Sequence, residues 1–320
     1  MVLLGGGSGP RSGLWSTSSM TRGPAYRGRM HRTPPDAVVD LHVHSDHSDG
    51  TEPPRAVVER ARRAGIDVVA LTDHDVVSGW AEADEAGRRT GVAVVPGIEV
   101  SCSWRGISVH LLAYLPDPDD EALTAELEAS RRSRDTRLQV MIERLRADGY
   151  PVREEEVRAL AGDAGSLGRP HVADVLVRHG VVRTRDEAFE EILSSSGPYY
   201  VTHAAPDPVT ATELVVAAGG AAVVAHPFAG RRGRVVDDRV VADMAEAGMV
   251  GVEVDHRDHG PQERAHAAEL AGRLGLLRTG SSDYHGAGKQ NRLGEHTTDP
   301  GVLDRILDLA DGTPMLGARI

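Results

Sequence analysis

Cysteine occurs once in this chain of 320 residues, at Cys102. A single thiol excludes an internal disulfide framework and a cysteine-rich metal site, so any metal chemistry must rest on His and carboxylate ligands. Aromatic residues are also scarce, at 3% against 40% apolar residues in all. The core must therefore be built from Val, Leu, Ile and Ala, which suits a parallel sheet covered by helices. No run approaches the roughly 18 apolar residues of a membrane span, and a soluble cytoplasmic protein without membrane association is expected. Positive charge is in deficit, with a formal net charge of -12. That argues against a general polyanion-binding surface but leaves room for a local basic pocket.

Residues 1–36 lack the apolar stretch of a secretory signal and are rich in Gly, Ser, Pro and Arg, including Arg11, Arg22, Arg27, Arg29 and Arg32. They read as a disordered leader, with an organellar transit peptide as the alternative and Met20 or Met30 as other possible starts.

From residue 37 the strand and helix signals alternate. Ala37 to His42 and Asp67 to Thr72 are short apolar runs, and Pro53 to Gly65 opens with proline and closes with glycine as helices do. Ser78 to Gly91 reads as a helix, and Val92 to Val100 and Ile107 to Tyr114 as strands. Beyond residue 203 the rhythm returns, with strands ending at His226, Asp255 and Ser281 and helices near Pro208 to Gly219, Val235 to Gly248, Pro261 to Gly275 and Val302 to Asp311. This βαβ series favours a parallel sheet or barrel. Residues 119–202 contain no comparable strand and read as a helical insertion, of the kind that caps or shapes an active site. The expected organisation is a leader (1–36), a first barrel part (37–118), the insertion (119–202) and a second barrel part (203–320).

Chemistry-bearing residues gather at the predicted strand ends, where functional groups collect in parallel α/β folds and barrels. In His42-Val43-His44 the period of two points both imidazoles to one side, and the Asp49-Gly50 turn can fold a carboxylate back towards them. Asp73-His74 follows a buried strand, where Asp73 would otherwise cap the next helix. Glu99 lies in an apolar strand, where an unpaired carboxylate is costly to bury; a buried salt bridge or a bridging role between cations would each satisfy it. His110 reads either as a core histidine or as a ligand. His226, Asp283 and His285 again terminate apolar runs. A multi-metal centre explains the joint occurrence.

The segments HVHSDHSDG, LTDHD, GIEV, AHP and SSDYHG, in this order across most of residues 37–300, closely resemble the signatures of the PHP (polymerase and histidinol phosphatase) family of metal-dependent phosphoesterases. The resemblance implies an α/β fold, a distorted (β/α)7 barrel with a helical insertion, and three divalent ions, with Mn²⁺ expected and Fe²⁺ or Zn²⁺ as alternatives. One ion would be held by His42, His44, Glu99 and Asp283, a second by Asp49, His74 and His285, and a third by Glu99, His110 and His226. The insertion and the GRPH motif at Gly168 to His171 resemble enzymes that act on nucleoside 3',5'-bisphosphates and short 5'-phosphorylated RNA. Arg169 offers a planar fork of donors for a phosphate, or is a surface arginine in a turn. His171 would bind phosphate or protonate the leaving oxygen, or simply start a helix; His203 is a further substrate-binding candidate. Asp255 departs from the aromatic residue common in relatives, which leaves the metals intact and puts substrate shape in doubt.

The expected reaction is in-line attack of a metal-bound hydroxide on phosphorus, with release of a ribose 3'-hydroxyl and charge neutralisation by Arg169 and His171. Ser45 and Ser101 have no base partner that would make either a nucleophile. The expected substrate is a small phosphorylated nucleotide or short RNA, and no stable protein partner is predicted. The alternatives are a PHP phosphatase for another small phosphomonoester such as histidinol phosphate, and a non-catalytic, metal-stabilised binding module.

Overall fold

The computed structural model describes residues 32–162, 164–202 and 204–319. Most of the expected leader, and His203, lie outside the described residues. Thr33 is already anchored: its N–H and hydroxyl donate to Asp304 Oδ1 at 2.9 and 2.7 Å.

The barrel is built from β1 (Val39–Val43), β2 (Val68–Leu71), β3 (Ala93–Trp104), β4 (Ile107–Tyr114), β5 (Ala221–Ala225), β6 (Gly251–Asp255) and β7 (Leu277–Gly280), which are neighbours in that order. A parallel bridge between Val43 and Tyr284 brings the two edges together, so the sheet is a nearly closed barrel. A two-residue strand, β8 (Leu316–Gly317), adds to β3. The helices outside the insertion are α1 (Pro54–Arg63), α2 (Trp80–Thr90), α7 (Pro208–Ala217), α8 (Asp238–Glu246), α9 (Pro261–Leu274) and α10 (Pro300–Leu309). Local chemistry sets their ends. Proline occupies the first turn of α1, α7, α9 and α10, and Asp207, Asp237 and Asp299 accept hydrogen bonds from the first-turn amides of α7, α8 and α10. Gly91 and Gly275 terminate α2 and α9 in the left-handed conformation.

Not every strand is parallel. β3 and β4 form an antiparallel hairpin, and β4 is antiparallel to β5 as well. The βαβ rhythm does not extend to this hairpin, because only the two residues Arg105 and Gly106 separate β3 from β4, too few for a crossover. The reversal matters for function. It brings His110, early in β4, level with Ser101 near the end of β3 and Ala225 at the end of β5.

Alternation sorts the strand residues into two buried layers. Val39, Leu41, Val68, Ala70, Ala93, Val95, Leu112, Tyr114, Ala221 and Val223 form the barrel interior, plugged by Leu303 and Ile306 of α10. Their sequence neighbours Val69, Leu71, Val94, Leu111, Ala113, Ala222 and Val224 face the outer helices. In β1 the register slips between Asp40 and Val43, so Val43 joins the outer layer and His42 and His44 turn inward. The same alternation puts Glu99 and Glu253 inside.

Between β4 and α7 run α3 (Glu121–Ala147), α4 (Glu154–Ala161), α5 (Arg169–Arg178) and α6 (Arg185–Glu191). They enclose their own apolar cluster, including Leu138, Met141, Leu145, Val172, Leu176 and Leu193. Among the described residues no helix is long and apolar enough to cross a membrane.

Leu112 is fully buried in the barrel interior, whereas Val38 is 36% exposed. Leu112→Ala is expected to destabilise the fold by about 2–5 kcal/mol in chemical denaturation, and Val38→Ala by no more than about 0.5 kcal/mol.

Candidate metal centre

One face of the barrel gathers the predicted residues from successive strands and the turns that follow them. His42 and His44 come from the end of β1, His74 from the turn after β2, Glu99 from β3, His110 from β4, His226 from the residue after β5, and Asp283 and His285 from the loop after β7. Asp49 arrives from the loop after β1. That loop closes through Ser48 and Gly50 amides that donate to the Ser45 carbonyl at 3.2 and 2.9 Å, and a Cβ at Gly50 would lie 2.7 Å from the His44 carbonyl oxygen. Asp75, His226 and Asp283 adopt positive φ angles of 56°, 31° and 51°. Such conformations are costly for non-glycine residues and concentrate at functional sites.

The donor atoms converge in overlapping groups. His42 Nε2 lies 3.2 Å from Glu99 Oε2 and 3.5 Å from Asp283 Oδ1, and His44 Nε2 lies 3.0 and 3.4 Å from the same two atoms. Asp49 Oδ1 is 3.1 Å from His285 Nε2 and 3.5 Å from His44 Nδ1, while Asp49 Oδ2 is 3.7 Å from His74 Nε2. On the far side of Glu99, Oε1 meets His110 Nδ1 at 2.6 Å and His226 Nε2 at 3.2 Å. All nine predicted positions therefore fall in one cluster. His110 is the most open of them, with a side chain 21% exposed.

The donor set fits divalent cations. His42 Nδ1 lies 3.1 Å from Glu253 Oε1, which turns Nε2 into the cluster. There Nε2 meets His44 Nε2, 3.1 Å away, with Glu99 Oε2 and Asp283 Oδ1 beside it. Such crowding of acceptors is repulsive unless a proton or a cation sits among them. Two donors sharing a first-row ion at about 2.1 Å lie roughly 3.0–3.4 Å apart, which is the spacing here. Buried His74 Nδ1 and His285 Nε2 also have no hydrogen-bond partner. Burial opposes ionisation of Asp49, Glu99 and Asp283, yet the surrounding imidazoles, with Lys289 and Arg232 beside Asp283, hold all three carboxyls well below the usual range. Burial also keeps His74 and His226 well below the usual imidazole range, and together with Lys289 and His44 pushes His285 down to about 4. Against the same burial, Asp283 and Glu99 push His44 up to about 9.

Sequence reasoning missed several members of this cluster. Glu253 on β6 is fully buried; it accepts from His42 Nδ1, from the His226 amide at 2.8 Å and from the Ser281 hydroxyl. It thereby fixes the ring of His42 and the backbone of His226. The signal was the one used for Glu99, a lone acid in an apolar strand, here in GVEVD. Arg232 donates to Asp283 Oδ2 at 2.5 Å and to His226 Nε2 at 3.0 Å, and Lys289 Nζ lies 2.9 Å from Asp283 Oδ2. His256 is buried with Nε2 3.4 Å from the same oxygen. Asp255, by contrast, is exposed at the end of β6. Asp73 caps no helix: its carboxylate takes the Ser45 amide and the hydroxyls of Ser45 and Ser48, which ties down the loop that carries Asp49. The Ser101 hydroxyl is likewise spent on Asp75 at 2.7 Å.

The substrate-side candidates lie on the insertion. Arg169 begins α5, with its guanidinium 5.2 and 5.3 Å from the rings of Phe189 and Tyr200 and NH1 donating to the Leu193 carbonyl at 3.0 Å. His171 is buried; its Nδ1 accepts from the Gly168 amide at 3.0 Å, and Asp49 and the Ser48 backbone lie beside its ring. In that orientation His171 joins the start of α5 to the loop that carries Asp49.

Glu253→Gln preserves shape but removes the charge that orients His42. It is expected to weaken Mn²⁺ binding by about 10–100-fold, read by calorimetry on metal-stripped protein, with the far-ultraviolet circular dichroism spectrum unchanged.

Known proteins resemble this chain. Residues 40–150 match the PHP domain. The chain is 35% identical over 263 residues to a 3',5'-nucleoside bisphosphate phosphatase of Chromobacterium violaceum, covering 82% of this chain and 92% of the relative. It is 31% identical over 246 residues to a 5'-3' exoribonuclease of Haemophilus influenzae, covering 77% of this chain and 89% of that enzyme. The crystal structure of a proposed metal-dependent phosphoesterase from Bifidobacterium adolescentis superposes with a TM-score of 0.83 at 38% identity, over 87% of this chain and 98% of that one. Similarity of this degree over more than three quarters of the chain shows that it belongs to the PHP family and is a metal-dependent phosphoesterase.

Proposed function

We propose that this phosphoesterase removes the 3'-phosphate of nucleoside 3',5'-bisphosphates and trims short 5'-phosphorylated RNA, with three divalent ions, Mn²⁺ foremost, in a cytoplasmic enzyme. His42, His44, Glu99 and Asp283 would hold one ion, Asp49, His74 and His285 a second, and Glu99, His110 and His226 a third. When bound, such ions supply a hydroxide nucleophile near neutral pH and polarise the phosphoryl oxygens.

The observation that carries the substrate class is a group of arginines on the insertion. Arg134 and Arg137 of α3 are buried, and Arg169 lies near enough that its charge acts on Arg137. Burial and the neighbouring charges of Arg134 and Arg169 push the Arg137 guanidinium down to about 9. Asp75 pairs with Arg134 at 3.0 Å. A second phosphate on the substrate is an anion that this concentration of guanidinium groups would attract. The chain as a whole is acidic, so this local positive field is selective.

The chain's own groups then divide the work. Aromatic packing restrains the orientation of the planar Arg169 fork, so its remaining N–H donors meet a phosphate at low entropic cost. His171 holds the start of α5 against the Asp49 loop, and from there would bind a phosphate oxygen or protonate the leaving oxygen. His203, which lies outside the described residues, would add a further contact to substrate. Resemblance to both a bisphosphate phosphatase and a 5'-3' exoribonuclease supports a substrate that carries a 5'-phosphate.

Purified protein loaded with Mn²⁺ is expected to release phosphate from adenosine 3',5'-bisphosphate and to shorten 5'-phosphorylated RNA oligomers. Turnover of histidinol phosphate alone would sink this reading in favour of a different phosphomonoesterase. Arg169→Ala should raise KM for the bisphosphate by roughly 10–100-fold, the effect of losing one charge-assisted contact, with a smaller change in kcat; an unchanged KM would remove Arg169 from the phosphate site.

A further inference from the structure

The insertion reaches the metal centre through one buried guanidinium. Arg185, at the start of α6, has a side chain only 8% exposed, and it grips Asp174 of α5 bidentately, Nε to Oδ1 at 2.6 Å and NH2 to Oδ2 at 2.7 Å. Its third nitrogen, NH1, donates to the backbone carbonyl of Asp49 at 2.8 Å. The same guanidinium packs against Gly288: a Cβ there would come within 2.8 Å of Arg185 Cζ. One side chain thus touches two helices of the insertion and two barrel loops, the one that carries Asp49 and the one that carries His285.

Those loops are zipped to each other at the same place. The Thr51 amide donates to the His285 carbonyl at 3.2 Å, and the Ala287 amide donates to Thr51 Oγ1 at 2.8 Å. Above this zipper Asp49 Oδ1 and His285 Nε2 stand 3.1 Å apart. Neither loop belongs to a strand, so the spacing of the two donors depends on what holds the loops. A second tie from the insertion, the Gly165 amide to the His47 carbonyl at 2.9 Å, acts on the first loop alone.

We propose that Arg185, oriented by Asp174, is a positioning residue through which the insertion holds the Asp49–His285 part of the metal centre, so that cation occupancy there and docking of α5 and α6 are one linked equilibrium. The proposal rests on the metal-centre reading given above. A bidentate pair fixes the plane of the guanidinium, and the plane aims NH1 at the Asp49 carbonyl. Removing either partner frees the loop without touching any donor atom of the cluster. Linkage is reciprocal: if docking favours the ion, the ion must favour docking, and helices far from the cluster must respond to it.

Metal-stripped wild type, Arg185→Met, Asp174→Asn, His285→Ala and the Arg185→Met/His285→Ala double variant would be titrated with Mn²⁺ by calorimetry. Hydrogen exchange of residues 169–191 would be followed with and without Mn²⁺. Arg185→Met and Asp174→Asn are each expected to weaken one class of Mn²⁺ site by about 10–100-fold, the range for residues that support a ligand, and to leave the other sites as in wild type. Mn²⁺ should slow exchange across residues 169–191 in wild type and much less in both variants. In the His285→Ala background, Arg185→Met should weaken Mn²⁺ no further, because the two act on one site. Wild-type affinity in both single variants, or full additivity in the double variant, would overturn the proposal. Should Arg185→Met fail to fold, Asp174→Asn alone decides, since Asp174 is 31% exposed and tolerates the change sterically. A wild type that binds no Mn²⁺ would instead overturn the metal-centre reading itself.

Discussion

One buried carboxylate organises this molecule. Glu99 is 1% exposed and stands within 3.4 Å of five imidazoles, those of His42, His44, His74, His110 and His226. Taken alone, a carboxylate at that depth is costly, and so is each ring. Together they form a site whose charges balance only when cations or protons complete it, which makes the carboxyl face of the barrel a place for metal chemistry and a poor place for a hydrophobic core. The apolar interior is accordingly confined to the other end, where α10 closes it.

Strand geometry converts that chemical demand into position. Alternation turns Glu99 and Glu253 inward, the register slip in β1 does the same for His42 and His44, and the antiparallel hairpin brings His110 from the beginning of a strand to the level where its neighbours end. Residues that look unrelated along the chain thereby share a volume a few ångströms across. Side-chain hydrogen bonds then hold it: Glu253 orients His42, Asp73 gathers the Ser45–Ser48 turn, and Asp75 accepts from Ser101 while pairing with Arg134 of α3. The insertion is thus bonded to the same strand that bears Glu99, which links the cluster to the surface proposed to receive substrate.

Most of the cluster could be read from the chain because His and carboxylate residues at the ends of apolar runs are conspicuous, as with His226 after AVVA, and their joint occurrence in this order is more telling than any one of them. The helices were legible for a similar reason, since proline and aspartate open them and glycine closes two of them. Glu253 escaped notice although its setting repeats that of Glu99, because an acid in a strand declares its burial but not its partner. Arg232, Lys289 and Arg185 were harder to see. Arginine is common in this chain, and nothing local distinguishes the one that reaches across more than a hundred residues to the Asp49 carbonyl from those that remain in solvent.

By itself the sequence determined the fold class, the family and the identity of the candidate ligands, because these depend on residue type, period and order along the chain. Only the tertiary structure decided that β4 runs antiparallel to both β3 and β5, that Glu253 supports His42, and that the insertion grips the Asp49 loop through Arg185. The physical reason is range. Periodicity and capping act over a few residues, whereas charge pairing and hydrogen bonding in a buried site are settled by which distant groups share one small, poorly solvated volume.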